Sequence, residues 1–444
     1  MSAPAIFEVD IEGVIDRNRV GRFQRRVLLL CFGVLILDGI DVNLSSYLGP
    51  ALISNWHVTK ADLGPILTGG LVGLALGSLI AGPLGDRVGR RKLIVYSLVF
   101  YGVMSALSTL STDVASLTVM RALTGLGLGA SMPNAATLVA EYAPKVRRGV
   151  MMTFMYCGFT VGAAIGGYLT TFVIHAGGWH WALFVGAILP LCYAIAVYAA
   201  LPESPKFLAR RGGRDAELAG ILNAIEPGCV NAAHGPVRYT VAESHNAERG
   251  SVSALLTRRL SAGTLTIWLG FFAAFFTVYL MNSWLPIMMT DVGFSSYEVA
   301  TIGFLLQLGG TAGNILIGYA MDRAGRHRTI VISTLCAGVM LIAVAAAPRS
   351  VFAIGALIFI LGAFTNSLAV AYPVLAATYY PTAIRATGTS WATGIARIGA
   401  IVGTSLGTVL VAAGFSYKGV FLVLLAPVAV GVLAVSLKSR LAPE

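Results

Sequence analysis

The sequence predicts an all-α integral membrane protein, with twelve transmembrane helices arranged as two parallel six-helix repeats. Its composition indicates a bilayer protein, because 57% of the residues are hydrophobic and only 11% are charged, against roughly a quarter charged in an average soluble domain. Apolar runs of about 20 residues, the length that crosses a hydrocarbon core of about 30 Å, recur along the whole chain. A basic segment also appears twice, at equivalent places in the two halves.

The apolar runs define the predicted spans. They lie at residues 26–48, 63–84, 93–111, 115–141, 149–173, 181–201, 262–289, 298–321, 329–347, 351–378, 386–412 and 417–437. These spans divide the chain into an N-terminal tail (1–25), a first bundle (26–201), a linker (202–261), a second bundle (262–437) and a C-terminal tail (438–444). The tail at 1–25 is polar and has no short apolar region before a cleavage site, so we expect no cleavable signal peptide.

An internal repeat supports the division into two halves. The segment GPLGDRVGRRK (82–92) returns as GYAMDRAGRHR (318–328), and EYAPKVRRG (141–149) returns as TYYPTAIRATG (378–388). Both halves begin on the same side of the membrane, so the repeat is parallel. The linker is polar and basic, and it is expected to form either a surface helix or two, or a plain tether.

The basic residues indicate the topology. The net charge is +11, but all except five of the 31 Lys and Arg residues lie in the N-terminal tail, in every second loop or at the C-terminus. The five are Lys60, Arg121, Arg349, Arg397 and Lys418. By the positive-inside rule both termini are cytoplasmic, and the basic composition reflects topology and not nucleic-acid binding. Another apparent motif, the glycine run GLGLG (125–129), lies inside a span, so helix packing is favoured over a dinucleotide-binding loop.

Two short loops and four longer segments carry a family resemblance. GDRVGRRK (85–92) resembles the signature loop of the major facilitator superfamily, and MDRAGRHR (321–328) lies where that family repeats it. The longer segments resemble those of the aromatic acid:proton symporters, such as bacterial 4-hydroxybenzoate and benzoate carriers. They are LDGIDV (37–42), MPNAATLVAEYAP (132–144), YLMNSWLP (279–286) and YYPTAIRATGTSWATGIARIGAIVG (379–403). The resemblance covers the full chain and implies the major facilitator fold, proton-coupled import of a small aromatic carboxylate and an inner-membrane location.

Asp38 and Asp41 are two carboxylates inside the first span. An ionised carboxylate near the middle of a bilayer costs about 2.5 to 3.5 kcal/mol on insertion scales, and the i, i+3 spacing puts both on one helix face. That face is expected to point to the bundle interior, where mutual repulsion and poor solvation favour protonation of at least one carboxyl. The alternative is that both aspartates only hold helices together. The resemblance implies that both are needed for transport, with proton coupling as their role.

Two arginines also lie inside spans. Arg397 is at about the depth of Asp38, and it either anchors the carboxylate of the substrate or forms an ion pair with an aspartate. Arg121, near the outer end of the fourth span, either serves coupling and gating or bonds carbonyls at a helix end.

The signature loop and its surroundings predict a gate. Charged residues at the cytoplasmic ends of the spans are expected to form a network of individually weak contacts, which suits a latch that opens in each cycle. The gating candidates, besides Arg121, are Asp86, Arg87, Arg90, Glu141, Arg148, Asp322 and Arg385. The resemblance assigns the gating role to Asp86 and Arg90.

Aromatic side chains within spans are candidates for contact with a flat substrate ring, although most aromatic residues in membrane helices serve packing or interface belts. The candidates are Tyr156, Phe159, Tyr279, Trp284, Tyr372 and Trp391.

The remaining function classes are less well supported. No arrangement of nucleophile and base, metal ligands or cofactor loop is found, so we expect neither an enzyme nor a bound metal or cofactor. A sensor without transport would normally carry a signalling domain. The alternative within transport is a carrier of another organic anion, or of an amphipathic drug by proton antiport. The expected partners are the aromatic carboxylate, protons and the lipid bilayer, and the expected state is a monomer.

Overall fold

The computed structural model describes residues 7–230, 237–240, 252–381 and 384–441. Two short strands, β1 (Phe7–Asp10) and β2 (Val237–Thr240), accompany a set of helices. The helices are α1 (Ile11–Arg17), α2 (Arg22–Trp56), α3 (Leu63–Val88), α4 (Arg90–Ser108), α5 (Val114–Tyr142), α6 (Arg148–Gly177), α7 (Trp179–Ala200), α8 (Pro205–Arg211), α9 (Asp215–Ile225), α10 (Val252–Leu255), α11 (Ser261–Val292), α12 (Ser296–Ala324), α13 (Arg326–Ala346), α14 (Val351–Tyr379), α15 (Arg385–Ala412), α16 (Tyr417–Val423) and α17 (Leu425–Leu441).

Each predicted span coincides with helix, which confirms the fold class. Among the described residues, eleven helical segments are long and apolar enough to cross a membrane. The third predicted span, α4, is not among these eleven segments, because it begins with three basic residues. It nevertheless packs against α5 and α7 like a spanning helix. The last span is divided into α16 and α17 at Leu424.

The repeat is visible in the backbone. Gly89 separates α3 from α4 with φ +105°, and Gly325 separates α12 from α13 with φ +84°. A positive φ strains any residue with a Cβ atom. Each signature loop is therefore a one-glycine turn between two helices, and both copies use the same geometry.

Small residues bring helices into close contact. Gly125 and Gly129 of α5 lie against backbone atoms of α3, and Gly309 and Gly313 of α12 lie against backbone atoms of α14. A Cβ at any of these positions would overlap the neighbouring helix, so the glycines permit the approach. The glycine run at 125–129 therefore serves packing.

One end of the bundle carries the N-terminal tail and the linker helices, and we name it the tail end. There β1 pairs in parallel with β2, and α1 contacts α9. The carboxylate of Glu12 accepts a hydrogen bond from Lys206 Nζ, and its Oε2 lies 3.7 Å from Lys145 Nζ. The guanidinium of Arg17 lies 2.7 Å from the carboxylate of Glu226. The sequence analysis did not predict this pairing of tail and linker, because no apolar run marks it.

The tail and linker share an apolar core, which explains why they dock. Ile11, Ile15, Leu218 and Leu222 are all buried in one cluster with residues of α2 and α5. Burying such side chains stabilises a contact by about 1.5 to 3 kcal/mol each relative to full exposure. We name this unit, residues 7–17 with 205–225 and 237–240, the tail-end cap.

The opposite end, which we name the distal end, is where α2 and α11 finish and α3 and α12 begin. Side chains join the two halves there. Lys60 Nζ lies 2.6 Å from Asp291 Oδ2, and the hydroxyls of Tyr168 and Thr301 are 2.6 Å apart. The halves are therefore in contact at the distal end.

Candidate transport site

The two aspartates of α2 face α5 in the middle of the first bundle. Asp38 is the seventeenth residue of the 35-residue helix α2, counted from Arg22, and only 2% of Asp38 and 4% of Asp41 is exposed. Both carboxylates contact side chains of α5, as described below. The structure thus places the pair on an interior helix face, as the i, i+3 spacing predicted.

Arg121 of α5 is the partner of Asp41. Its Nη1 lies 3.4 Å from each carboxylate oxygen of Asp41 and also donates to Ser45 Oγ at 3.2 Å. Its Nη2 donates to Ser105 Oγ and Thr124 Oγ1. A buried arginine needs a counter-charge and hydrogen-bond acceptors, and these groups supply both. Arg121 therefore lies in the aspartate site and contacts side chains, away from the gating residues of the tail end with which the sequence analysis grouped it.

Asp38 has a different environment from Asp41. Ser131 Oγ donates to Asp38 Oδ2 at 2.6 Å, while Asp38 Oδ1 is buried and has no hydrogen-bond partner in the described structure. No salt bridge joins Asp38 to a cation among the described residues. The hydroxyl of Tyr101, also buried, is within electrostatic range of both aspartates. Of the two carboxylates, Asp38 is the one without a compensating charge.

Arg397 lies in the second bundle but contacts the first. Its Nη1 donates to the backbone carbonyl of Leu74 in α3 at 2.8 Å, and the hydroxyls of Tyr156 and Tyr279 are within electrostatic range. Within the described part of the chain it forms no salt bridge with a carboxylate. The cation that pairs with an aspartate is Arg121, and Arg397 remains without a counter-ion.

The aromatic candidates fall into different environments. Trp284 is fully buried and donates from Nε1 to Thr404 O at 3.0 Å, and Tyr372 is fully buried against Phe271 with ring centroids 5.2 Å apart. Both side chains pack within the second bundle, and the buried hydroxyl of Tyr372 has no hydrogen-bond partner in the described structure. Trp391 is 44% exposed and stacks on Trp268 at 6.0 Å.

Tyr156 and Phe159 lie on α6 and Tyr279 on α11. Phe159 packs against the core of the first bundle, and Tyr279 stacks on Phe275 with ring centroids 5.6 Å apart. Tyr156 and Tyr279 lie near Arg397, as noted above, and Phe159 follows Tyr156 by about one turn of α6. Its backbone carbonyl faces Gly39, between the two aspartates. The three are thus divided: Tyr156 and Tyr279 lie near Arg397, and the backbone of Phe159 lies against Gly39 of α2.

The signature-loop residues lie at the tail end. Arg90 Nη2 is 2.5 Å from Asp86 Oδ1 and Arg90 Nη1 is 3.4 Å from Asn134 Oδ1. A cavity of about 480 Å³ adjoins them and is also lined by Arg87 and Glu141. Glu141 itself accepts from Ser204. The predicted charge cluster thus surrounds one cavity, and the linker supplies part of its wall.

The other gating candidates are more dispersed. Arg148 lines a neighbouring cavity with Glu141 and Lys206. In the second half Asp322 is exposed, and Arg385 Nε donates to Tyr380 O at 3.4 Å. No salt bridge joins Asp322 to Arg385 in the described structure.

Comparison with known proteins decides the family. The Major Facilitator Superfamily profile matches residues 30–300 and 267–444. This chain belongs to that superfamily. This superfamily member is 38% identical over 440 residues to the 4-hydroxybenzoate transporter PcaK of Pseudomonas aeruginosa, covering 98% of this chain and 97% of the relative. It is 35% identical to the gallate transporter of Pseudomonas putida, covering 98% and 96%. The inward open structure of the xylose transporter XylE from E. coli superposes with a TM-score of 0.73 at 18% identity, covering 95% and 97%. The fold and the relatives of this superfamily member are those of transporters.

Sequence reasoning missed several polar partners in this superfamily member. Ser131 and Tyr101 adjoin the aspartates, and only their polarity inside apolar spans could have indicated them. Glu203, after the sixth span, is 1% exposed, and its Oε1 accepts from the backbone N–H of Arg91 at 3.0 Å. Since Gly89 offers no side chain to cap α4, Glu203 supplies the carboxylate that the helix N-terminus favours.

Proposed function

We propose that this chain imports a small aromatic carboxylate together with a proton by alternating access. Its relatives are named as 4-hydroxybenzoate and gallate transporters, and both of these compounds are aromatic carboxylates. The observation that carries the proton coupling is the unequal environment of two adjacent carboxylates, Asp41 with a cation and Asp38 without one.

The proposed proton carrier is Asp38. A buried carboxylate without a cation is costly when ionised, so a proton on Asp38 relieves the cost when the site is closed to water. The Ser131 hydroxyl donates to the carboxylate and holds it in place after the proton leaves. Asp41 and Arg121 neutralise each other, so they form a fixed ion pair beside the carrier.

The proposed anchor of the substrate carboxylate is Arg397. A guanidinium presents a planar fork that matches a carboxylate, and Arg397 has no acidic partner in the described structure. Tyr156 and Tyr279, which interact electrostatically with Arg397, are the proposed contacts of the ring. The guanidinium also donates to the carbonyl of Leu74 in the other half, and an anion bound by Arg397 competes with this contact between the halves.

The proposed orientation follows from the basic residues, which make the tail end cytoplasmic. The distal end then faces outward, and the contacts at Lys60, Asp291 and Tyr168 close it. Substrate enters when those contacts separate. The cluster of Asp86 and Arg90 acts as the latch of the opposite end. We further propose that the chain acts as a monomer in the inner membrane.

The test is uptake into proteoliposomes. Radiolabelled 4-hydroxybenzoate should accumulate when the outside is made acidic, and a protonophore should abolish the accumulation. A sodium gradient at equal pH on both sides is the control and should drive none. Accumulation that follows sodium, or proton-driven extrusion of the compound, would contradict the proposal.

A further inference from the structure

Polar side chains form a stripe on one face of α12. Gln307, Thr311 and Asn314 follow one another at i, i+4 and i+7, which puts them on the same side of the helix. Gln307 is 4% exposed and Asn314 is 8% exposed. Amide side chains inside a membrane helix face the protein interior and are commonly functional.

Asn366 of the neighbouring helix α14 joins this stripe. Its Nδ2 donates to Gln307 Oε1 at 3.4 Å. Gly310 makes room for it, because a Cβ atom at Gly310 would overlap the Asn366 side chain. We name the four residues Gln307, Thr311, Asn314 and Asn366 the amide stripe.

The amide stripe faces the other half of the protein. Thr311 Oγ1 lies 2.7 Å from Thr160 Oγ1 of α6. Helices α6 and α12 run in opposite directions, since α6 starts at the tail end and α12 at the distal end. Asn314, three residues beyond Thr311 towards the tail end, is therefore nearly level with Tyr156, four residues before Thr160. At 1.5 Å per residue both lie about 5 to 6 Å from the threonine pair.

Tyr156 also lies near Arg397, the proposed anchor of the substrate carboxylate, since the two side chains are within electrostatic range of each other. The stripe and Arg397 belong to different helices of the second half, and Tyr156 relates them: it is nearly level with Asn314 and interacts electrostatically with Arg397. A flat ring held by its carboxylate at Arg397 has its far edge pointing away from the guanidinium. Polar groups on that edge need partners at this depth.

Asn314 is the residue of the amide stripe with an unused hydrogen-bond acceptor. Its Oδ1 is buried and accepts no hydrogen bond in the described structure. If the stripe served only to hold α12 and α14 together, the pair Gln307 and Asn366 would suffice for that role. A buried acceptor without a donor is unfavourable, so a ligand that donates to Asn314 Oδ1 would relieve this cost.

We propose that the amide stripe binds the ring hydroxyl of the substrate, with Asn314 Oδ1 accepting a hydrogen bond from the phenolic O–H. This rests on the proposed function and deepens it: the preferred substrate is a hydroxylated aromatic carboxylate, and the unsubstituted acid binds less tightly. Selection for the hydroxyl arises because the unsubstituted acid leaves the buried acceptor unpaired.

The test compares ligands on purified protein. Benzoate, 4-hydroxybenzoate and 3,4,5-trihydroxybenzoate are titrated against the wild type and Asn314→Leu, which keeps the side-chain shape but removes the acceptor. The wild type should bind a hydroxylated acid at least about tenfold more tightly than benzoate. In Asn314→Leu that preference should fall to about twofold or less, with the Kd for benzoate unchanged or lower. Asn314→Ala, which cannot clash, repeats the measurement should the leucine variant not fold.

A matched control is Thr365→Val. Thr365 precedes Asn366 on α14, is buried, and donates to Leu361 O of its own helix at 2.9 Å. Its removal should leave the preference for the hydroxyl intact. Equal losses for benzoate and the hydroxylated acids in the Asn314 variants, or no preference in the wild type, would overturn the inference while leaving import of aromatic acids in place. A wild type that binds none of the three acids would overturn the proposed function as well.

Discussion

The guanidinium of Arg121 and the carboxylate of Asp41 form an ion pair between α5 and α2, in the interior of the first bundle. Both side chains are almost completely buried. Such a pair contributes little net stability, but removing one partner is costly because the other charge stays buried. Asp38, three residues earlier, forms no ion pair in the described structure, so its replacement leaves no cation without a partner. Experiments can therefore distinguish the roles of the two aspartates.

Asp38→Asn and Asp41→Asn should both abolish uphill accumulation, but for different reasons. Asparagine at position 38 removes the proton carrier and leaves no buried charge without a partner, so expression and thermal stability should stay near wild type. Substrate exchange at equal concentrations should persist. Asn at 41 leaves Arg121 unpaired, which costs roughly 3 to 5 kcal/mol. The measurements are proton-driven uptake, counterflow and melting temperature.

The double variant Asp41→Asn with Arg121→Gln is the control for the stranded charge. It should regain most of the melting temperature that Asp41→Asn loses. Full uphill accumulation by Asp38→Asn would rule out Asp38 as the proton carrier.

Arg397→Lys should impair transport severely although the charge is kept, because lysine cannot form the two parallel hydrogen bonds of a guanidinium. Arg397→Ala should be inactive. Binding of 4-hydroxybenzoate and of its uncharged amide analogue, measured on purified protein, checks the role. The acid should lose far more affinity than the amide in Arg397→Ala, and equal losses for acid and amide would contradict the anchor.

Asp86→Asn and Arg90→Ala should slow turnover more than they weaken binding. The ion pair at 2.5 Å lies at the tail end, one membrane leaflet away from the proposed substrate site. The Kd of the purified protein should change by less than about twofold while the rate of uptake falls severalfold. A matched control is Arg323→Ala in the second copy of the loop, where the guanidinium lies over the ring of Tyr319. Affinity that falls as much as the rate would show that the pair is not a latch.

Asp291→Asn should loosen the distal end. An exposed ion pair contributes about 0 to 1 kcal/mol, so the open population should rise by at most about fivefold. Thr68→Cys, at a position that faces Ser405 across the halves, reports this opening through its rate of labelling by a membrane-impermeant maleimide, after correction for the native cysteines. Lys418→Gln should leave the rate unchanged, and an unchanged rate in Asp291→Asn would assign closure to the tyrosine contacts instead.

Acid should release the tail-end cap. The hydrogen bond from Arg17, with a second from Asn18, lowers the pKa of Glu226, and the hydrogen bond from Lys206 lowers the pKa of Glu12. A lowered folded-state pKa means that these contacts stabilise docking above the ordinary value of 4.5 and lose this effect as the pH falls through the lowered value. The protection of residues 11–17 against hydrogen exchange, measured relative to the intrinsic exchange rate at each pH, should therefore be high at pH 7 and fall below about pH 4.5.

Glu226→Gln tests the cause of this acid sensitivity. It should raise exchange of α1 already at pH 7 and flatten the pH profile. An identical profile in the variant would show that apolar packing alone holds the cap.

The spans could be predicted because a membrane imposes a run of apolar residues that the sequence carries locally. Their ends could not, since α2 continues from Arg22 to Trp56 and a helix does not stop where the hydrocarbon stops. Apolar length gives the part inside the bilayer, while caps and contacts beyond it decide the rest.

The partner of Arg121 could not be predicted either. Whether Arg121 or Arg397 meets an aspartate depends on how α5 and α15 are rotated about their axes, and periodicity does not fix that rotation between helices buried on several sides. The same holds for Trp284 and Tyr372, whose residue type suits a substrate pocket and whose complete burial in the second bundle the sequence pattern does not predict.

The pairing of β1 with β2 has a consequence for biosynthesis. The strands are parallel and lie on either side of the first bundle in sequence, and the contact of Arg17 with Glu226 joins residues 209 positions apart. No hairpin can form this pairing, so β1 waits for its partner until the six spans of the first bundle and strand β2 have been synthesised. At translation rates of about 5 to 20 residues per second this wait lasts on the order of ten seconds or more. The tail-end cap can therefore close only after the first bundle has been inserted into the membrane, and it can do so before the second bundle begins to insert.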